Sequence, residues 1–182
     1  MAMGSCSFPC LDTRTLALYP VSMNTTADRI KSLNLQAHPE GGWYVETYRS
    51  PDTVTWEGGE RSACTGILFL LEQGQVSTFH RIDADELWHY HEGGPVRVHM
   101  LSEKGYDTFV VGPLSTPGAR LQAWVPKGVW FGAEPLGDEP HSLVGCTVAP
   151  GFEFSRFELA RRKALIAQFP AHAELVTRLT RG

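Results

Sequence analysis

From Gly41 to about residue 148 the chain never sustains a helical period. Short runs rich in aromatic and β-branched residues are broken every few positions by glycine, proline or aspartate, the signature of strands and turns. Strands are expected near 43–49, 64–71, 76–80, 86–91, 96–101, 107–112, 120–125 and 142–148, with breakers that include Pro51, Gly74, Gly93-Gly94, Gly105, Pro117-Gly118 and Pro126. Many short strands in succession, with no helix between them, require an antiparallel sandwich or barrel. A parallel βαβ fold would need intervening helices of about 10–15 residues, and this stretch has no place for them.

The flanks read differently. Residues 1–23 carry Pro9, Pro20 and scattered small residues without periodicity, and are expected to be a flexible leader. Thr26 reads as an N-cap, with Asp28 in the first turn to complement the helix dipole. Ile30, Leu33 and Leu35 supply an apolar stripe, which His38-Pro39 should close, because the residue before proline avoids helical geometry. At the other end, Ser155-Arg156-Phe157-Glu158 matches a capping box. Phe157, Leu159, Leu165, Ile166 and Phe169 then fit a helix that Pro170 ends, and a second helix is expected at about 171–180. The expected organisation is one domain over 24–182: strands at about 41–150, then a helical tail at about 155–181.

Charge and composition exclude several roles. The formal net charge is −4, from 20 acidic and 16 basic residues, with no basic stripe of the kind that binds nucleic-acid phosphates. No apolar run approaches the ~18 residues of a membrane span; the longest is Ile67–Leu71. The N-terminus lacks the basic start and apolar core of a signal peptide, so a cytoplasmic location is expected. Cys6, Cys10, Cys64 and Cys146 are read as reduced thiols, the last two as small core residues inside strands.

The densest polar and aromatic cluster runs from Thr78 to Gly93. One strand ends at His80, an acidic turn follows, and the next strand starts at Glu86. Period-two alternation puts Val76, Thr78 and His80 on one face, and Glu86, Trp88 and Tyr90 on one face of the following strand. If both faces point inward, a His, a Glu, a Tyr and an indole line one cavity, a set suited to general acid–base work. On the opposite face, His89 and His91 have a metal-ligand spacing and would need a third ligand such as His99; a solvated or interface face explains them more simply. The run His38-Pro39-Glu40-Gly41-Gly42 reads first as a tight turn, with a functional Glu40 as the second reading. Tyr44, Glu46 and Tyr48 share a face of the strand that follows. Arg49 and Arg61 are the obvious cations for an anionic group. Gly132 and Gly137 are assigned to a loop.

These segments together resemble the cupin superfamily, whose fold is a double-stranded β-helix, the all-β cupin jelly roll. The resemblance rests on His38-Pro-Glu-Gly-Gly42, Phe79-His80-Arg81, Asp85-Glu86-Leu-Trp88-His-Tyr-His-Glu-Gly93, Val125-Pro126-Lys-Gly128-Val-Trp130 and Leu143-Val-Gly-Cys146-Thr-Val-Ala-Pro-Gly151-Phe. It spans about residues 26–160 and points to a single-domain branch without an assigned reaction, with a short N-terminal helix and C-terminal helices added to the jelly roll. Matched to the cupin pattern, the first His position falls on Thr78, the second on His80, the Glu on Glu86 and the Gly on Gly93. In the second motif the His position falls on Phe131. Two of four usual ligands are therefore replaced, and no metal or other cofactor is expected.

What remains resembles metal-free epimerases, in which a histidine base and a tyrosine acid work on a keto-sugar. The resemblance thus implies a small polar or carbohydrate-like ligand in the barrel and metal-independent epimerase or isomerase chemistry. His80, Glu86 and Tyr90 are the expected catalytic groups, with Glu86 or Asp85 orienting His80. Thr78, Trp88, Tyr44, Glu46 and Phe131 are the expected binding groups. A metal-dependent dioxygenase or isomerase, and a non-catalytic ligand-binding or storage-like cupin, are the alternatives. A homodimer is expected, because pairing would protect exposed edge strands.

Overall fold

A computed structural model describes residues 25–57 and 59–182. The expected leader, with Cys6 and Cys10, lies outside the described residues. Two six-stranded sheets face one another. The first runs in the order β1 (Gln36–Ala37), β2 (Trp43–Arg49), β5 (Thr65–Glu72), β13 (His141–Ala149), β7 (Asp85–Gly93) and β11 (Gln122–Val125). The second runs β10 (Ala119–Arg120), β9 (Gly105–Val111), β8 (Val96–Ser102), β12 (Trp130–Pro135), β6 (Ser77–Arg81) and β14 (Glu158–Leu159). A separate hairpin pairs β3 (Thr53–Trp56) with β4 (Gly59–Ser62). All ladders are antiparallel except β9 with β10. Neighbours in the sheets are distant in sequence, as in a jelly roll wound from two interleaved halves.

Alternation decides what enters the space between the sheets. In β7, Glu86 and Trp88 are buried while Asp85 and Leu87 are exposed, the period-two pattern of a strand with one wet face. The main core gathers Phe69, Trp88, Val98, Val111, Phe131 and Val144 between the sheets. The outer faces are covered too. Leu35, following the N-terminal helix, closes over Leu70 and Leu143. The C-terminal segment lays Leu165, Val176 and Leu179 over Phe79, Leu101 and Trp130. Strands β5 and β13 therefore read as near-continuous apolar runs, because each meets protein on both faces.

Several sequence expectations are corrected. The helix α1 (Thr26–Ser32) is capped by Thr25 rather than Thr26, through a reciprocal box with Asp28. It ends well before His38-Pro39: Leu33 is its C-cap, and Asn34 turns the chain with φ +58°. Ser155 caps no α-helix. Residues 154–156 form a single 3₁₀ turn, and Glu158–Leu159 pair with Arg81 and His80 as an edge strand. The helices follow later, α2 (Arg162–Gln168) and α3 (Ala173–Arg178), with a 3₁₀ turn at Pro170–His172 between them. Gly132 lies within β12, not in a loop. A Cβ there would stand 2.9 Å from the Ser77 carbonyl oxygen, so glycine lets β6 approach. Among the described residues no helix is long and apolar enough to cross a membrane.

Candidate active site

The His38–Gly42 run is both a turn and part of a site. It reverses the chain between β1 and β2, closed by hydrogen bonds from the Gly41 amide to the His38 carbonyl and from the His38 amide to the Gly42 carbonyl, each 3.0 Å. Gly41 has φ +111°, and a Cβ there would lie 2.3 Å from the Val76 carbonyl oxygen, so only glycine fits. This close approach docks the turn on β6. The Thr78 amide donates to the Glu40 carbonyl at 2.8 Å, and the Glu40 side chain, 8% exposed, is swung between the sheets.

There the Glu40 carboxylate meets two imidazoles. Its Oε2 lies 3.2 Å from His38 Nδ1 and 3.3 Å from His80 Nε2, and Ser77 Oγ donates to Oε1 at 2.9 Å. His80 Nδ1 sits 2.8 Å from the Thr78 carbonyl oxygen. A carbonyl only accepts, so that nitrogen carries a hydrogen. His38 Nδ1 already accepts the Glu40 backbone N–H at 3.3 Å. With its hydrogen on Nδ1, His80 turns the Nε2 lone pair toward Glu40, so a proton that arrives at Nε2 is held as an imidazolium–carboxylate pair. Until one arrives, both groups favour their deprotonated forms. Burial pushes the His80 pKa down, partly offset by Glu40 and the Thr78 carbonyl. Burial alone would raise Glu40, but His80, His38 and Ser77 outweigh it and leave the carboxyl below its ordinary value.

Glu86 faces the same cavity in the opposite state. Burial, and then the Glu40 charge, raise its pKa from 4.5 to about 8 against the counter-effect of the Cys146 thiol, so it is a neutral carboxylic acid at pH 7. The same surroundings push the Cys146 thiol well above its usual range, burial first. These groups line a cavity of about 330 Å³, at the small end of ligand sites of roughly 300–1,000 Å³. Tyr44, Ile67, Phe69, Val148, Phe152 and Phe154 form its apolar walls, and Gln36, Glu46, Arg49 and Glu153 also line it. Phe154 stacks on the His38 ring at 5.8 Å, and Tyr44 meets it edge-on at 4.6 Å.

Of the expected catalytic and binding groups, His80, Glu86, Tyr44 and Glu46 reach this wall, as do Glu40 and Arg49. Four of the expected groups do not. Trp88 is 1% exposed in the core, edge-on to Phe69. Phe131 packs in the same core with its ring 4.0 Å from that of His80. Thr78 is buried, and its hydroxyl finds no partner. Tyr90 donates its hydroxyl to the Gly93 carbonyl at 2.9 Å and packs its ring on the core. It stays in register with Glu86 and Trp88, and β7 slips against β13 only beyond it; its place four residues along the strand from Glu86 takes it past the cavity. Asp85 does not orient His80: it accepts the Lys127 backbone amide at 2.9 Å on the outside. The orienting carboxylate is Glu40.

The opposite-face histidines are not brought together with His99. His89 lies between Thr147 and Gln122 on the first sheet, whereas His99 lies in the second, between Tyr106 and Glu134. Arg61 is occupied by Asp83 and by the Gly151 carbonyl. Cys146 is a buried core residue of β13, as expected, and also lines the cavity, whereas Cys64 is half-buried just before β5 rather than inside it. The residues present do not fit a metal at the usual cupin position. The fourth ligand is replaced by the Phe131 ring, His80 Nε2 is turned to Glu40, and no His, Cys, Asp and Glu group among the described residues has metal-holding geometry.

Two interleaved sheets closing on a polar cavity define a double-stranded β-helix, and the solved structure of an oxalate decarboxylase shares that fold with a TM-score of 0.51 at 15% identity, over 82% of this chain and 38% of that one. The family assignment is narrower. Residues 27–160 match the family described as Cupin superfamily (DUF985), and the chain belongs to it. A hypothetical protein from Leishmania major is 34% identical, with 87% of this chain and 100% of that chain covered and a TM-score of 0.83. A protein from Shewanella oneidensis is 42% identical, with 87% and 99% covered and a TM-score of 0.79. No curated protein matches the chain in sequence.

Proposed function

We propose that the protein binds a small polar, carbohydrate-like molecule in the barrel and moves a proton on it without a metal, as an isomerase or epimerase. The observation that carries this reading is the pairing of two opposite proton states in one cavity. His80, oriented by Glu40 and by the Thr78 carbonyl, is a base that gives up its proton readily. Glu86 is an acid that keeps its proton at neutral pH. Titratable groups driven apart by their surroundings are how one site supplies both acid and base.

With a hydroxycarbonyl compound against the aromatic wall, His80 Nε2 takes the proton from the carbon next to the carbonyl. The electron pair of that C–H bond forms the C=C of the enol, and the carbonyl oxygen accepts the Glu86 proton. In isomerisation the Glu86 carboxylate then takes the proton of the neighbouring enol hydroxyl, the carbonyl re-forms on that carbon, and His80 returns its proton to the former carbonyl carbon. In epimerisation the enol takes a proton from water on its other face, its enol proton goes back to Glu86, and His80 releases its proton to the hydroxide left behind. Glu40 is a positioning residue in this scheme, and Tyr90 takes no part.

The test is solvent deuterium incorporation at the α-carbon of a panel of aldoses, ketoses and short hydroxyketones, followed by NMR. Exchange is expected with at least one panel member and should fall roughly 10²–10⁴-fold in His80→Gln, the usual contribution of a positioned acid or base. Exchange that is absent throughout, or unchanged in His80→Gln, overturns the reading. A homodimer and a cytoplasmic location belong to the same proposal. Edge strands β1, β11, β10 and β14 support the first, and the unpaired thiols of Cys64 and Cys146 support the second.

A further inference from the structure

The charges around the cavity set what can enter it. Three carboxylates other than the protonated Glu86 line it: Glu40 at depth, and Glu46 and Glu153, both beside Arg49. Among the described residues Arg49 is the one arginine or lysine on the wall, and it is already engaged. Its Nε and Nη2 donate to the two Glu46 oxygens at 2.9 and 2.7 Å, and Nη2 also reaches the Phe152 carbonyl at 3.2 Å. Glu46 takes the Nε–Nη2 fork and the Phe152 carbonyl takes the second Nη2 hydrogen, so no complete fork is left for a phosphate. His80 offers no positive charge either, because burial holds its pKa down.

Among the described residues a phosphoryl or nucleotide group therefore finds no unpaired cation on the wall, and it meets Glu46 and Glu153. The enclosed volume of about 330 Å³ would push a nucleotide out into that same region. An uncharged polyol has neither problem. Its C–H face can lie on Tyr44, Phe152 and Phe154, and its carbonyl and hydroxyl oxygens can meet His38, His80 and Glu86.

We infer that the cavity selects uncharged hydroxycarbonyl compounds of about monosaccharide size and rejects their phosphate and nucleotide esters. This inference rests on the proposed ligand-binding role of the same site. Its origin lies in the Arg49–Glu46 pair, which uses up the cation that an anionic substrate would need.

The experiment is a ligand titration by NMR, reading the His38 and His80 imidazole signals, with glucose, fructose and the 6-phosphate of each as probes. In the wild-type protein at least one free sugar should shift both signals, and its phosphate should bind about 100-fold more weakly, as expected for like charges held a few ångströms apart. In Glu46→Gln/Glu153→Gln, which frees Arg49 and removes both repelling charges, one exposed and one half-buried, the gap should close to within about tenfold. A phosphate that binds the wild type as well as its free sugar overturns the inference. So does a gap that persists in the double variant, or a panel in which no free sugar binds. Free-sugar binding without deuterium exchange would remove the acid–base reading and leave this one standing. Exchange confined to a phosphate ester would do the reverse.

Discussion

Glu86 is the residue whose chemistry departs furthest from its appearance in a sequence. Its pKa in the folded protein is raised from 4.5 to about 8, chiefly by burial. The folded state therefore binds a proton that the unfolded state releases between those values, and stability falls as pH rises across that window. Glu86→Gln removes the titration. Thermal melts of the variant should show a flatter profile from pH 5 to 9 than the wild type, with a gain of a few kcal/mol at most at the alkaline end. Parallel wild-type and variant profiles would contradict the assignment. Two glycines make a second prediction. Gly41 and Gly128 both have positive φ, but a Cβ on Gly41 strikes the Val76 carbonyl whereas one on Gly128 meets nothing within 4 Å. Gly128→Ala should cost only the left-handed backbone penalty of about 1–2 kcal/mol in urea unfolding. Gly41→Ala should cost clearly more and displace Glu40 from His80.

At the scale of elements, the C-terminus carries the lesson. Ser155-x-x-Glu158 has the spelling of a helix start, yet Glu158 pairs with Arg81 at 2.7 Å and Ser155 turns to Glu153. A capping box is a local preference of about 1 kcal/mol, and here the ladder with β6 and the apolar cover over Phe79 outweigh it. The Phe79 amide donates to the Leu179 carbonyl, and the Phe79 carbonyl accepts from Ala160. Strand β6, which holds His80, is thus braced by the tail on its outer face. Leu179 is fully buried in that cover. Leu179→Ala should destabilise the protein by about 2–5 kcal/mol in chemical denaturation, the range for a deleted core side chain. Loss of the α1 cap in Thr25→Ala should cost only about 1 kcal/mol, because α1 buries none of its own residues fully.

For the whole molecule, the proposed homodimer is checked by sedimentation velocity on the full chain. A single species of twice the 20.1 kDa chain mass is expected, and a monomer at micromolar concentration would overturn it. The chemistry also has a molecular pH signature. Proton transfer that needs a protonated Glu86 should decline as pH rises through about 8. A rate that stays level to pH 9.5 would mean another group supplies the acid.

Sequence alone determined the class of architecture, because the alternation of apolar positions and the placement of glycine and proline act locally, over a few residues at a time. It also marked Glu86 as inward-facing, since that follows from strand parity in β7, whereas His80 reaches the cavity from a strand whose ladder with β12 shifts register between Ser77 and His80. Strand β12 escaped that reading because Pro126 and Gly128 look like loop and because Trp130–Pro135 are mostly buried without alternation. Tyr90 keeps the parity of Glu86 and Trp88 and packs on the core, but alternation gives a face and not a depth, so how far along β7 the cavity extends was left to the packing of the two sheets. Above all, Glu40 stands forty residues from His80 in the chain. Their encounter required the Gly41 turn to dock on β6, a contact between segments that no periodicity encodes. Which protons the cavity holds was likewise left to tertiary structure, because burial and the mutual field of Glu40, His80 and Glu86 exist only once the two sheets have closed.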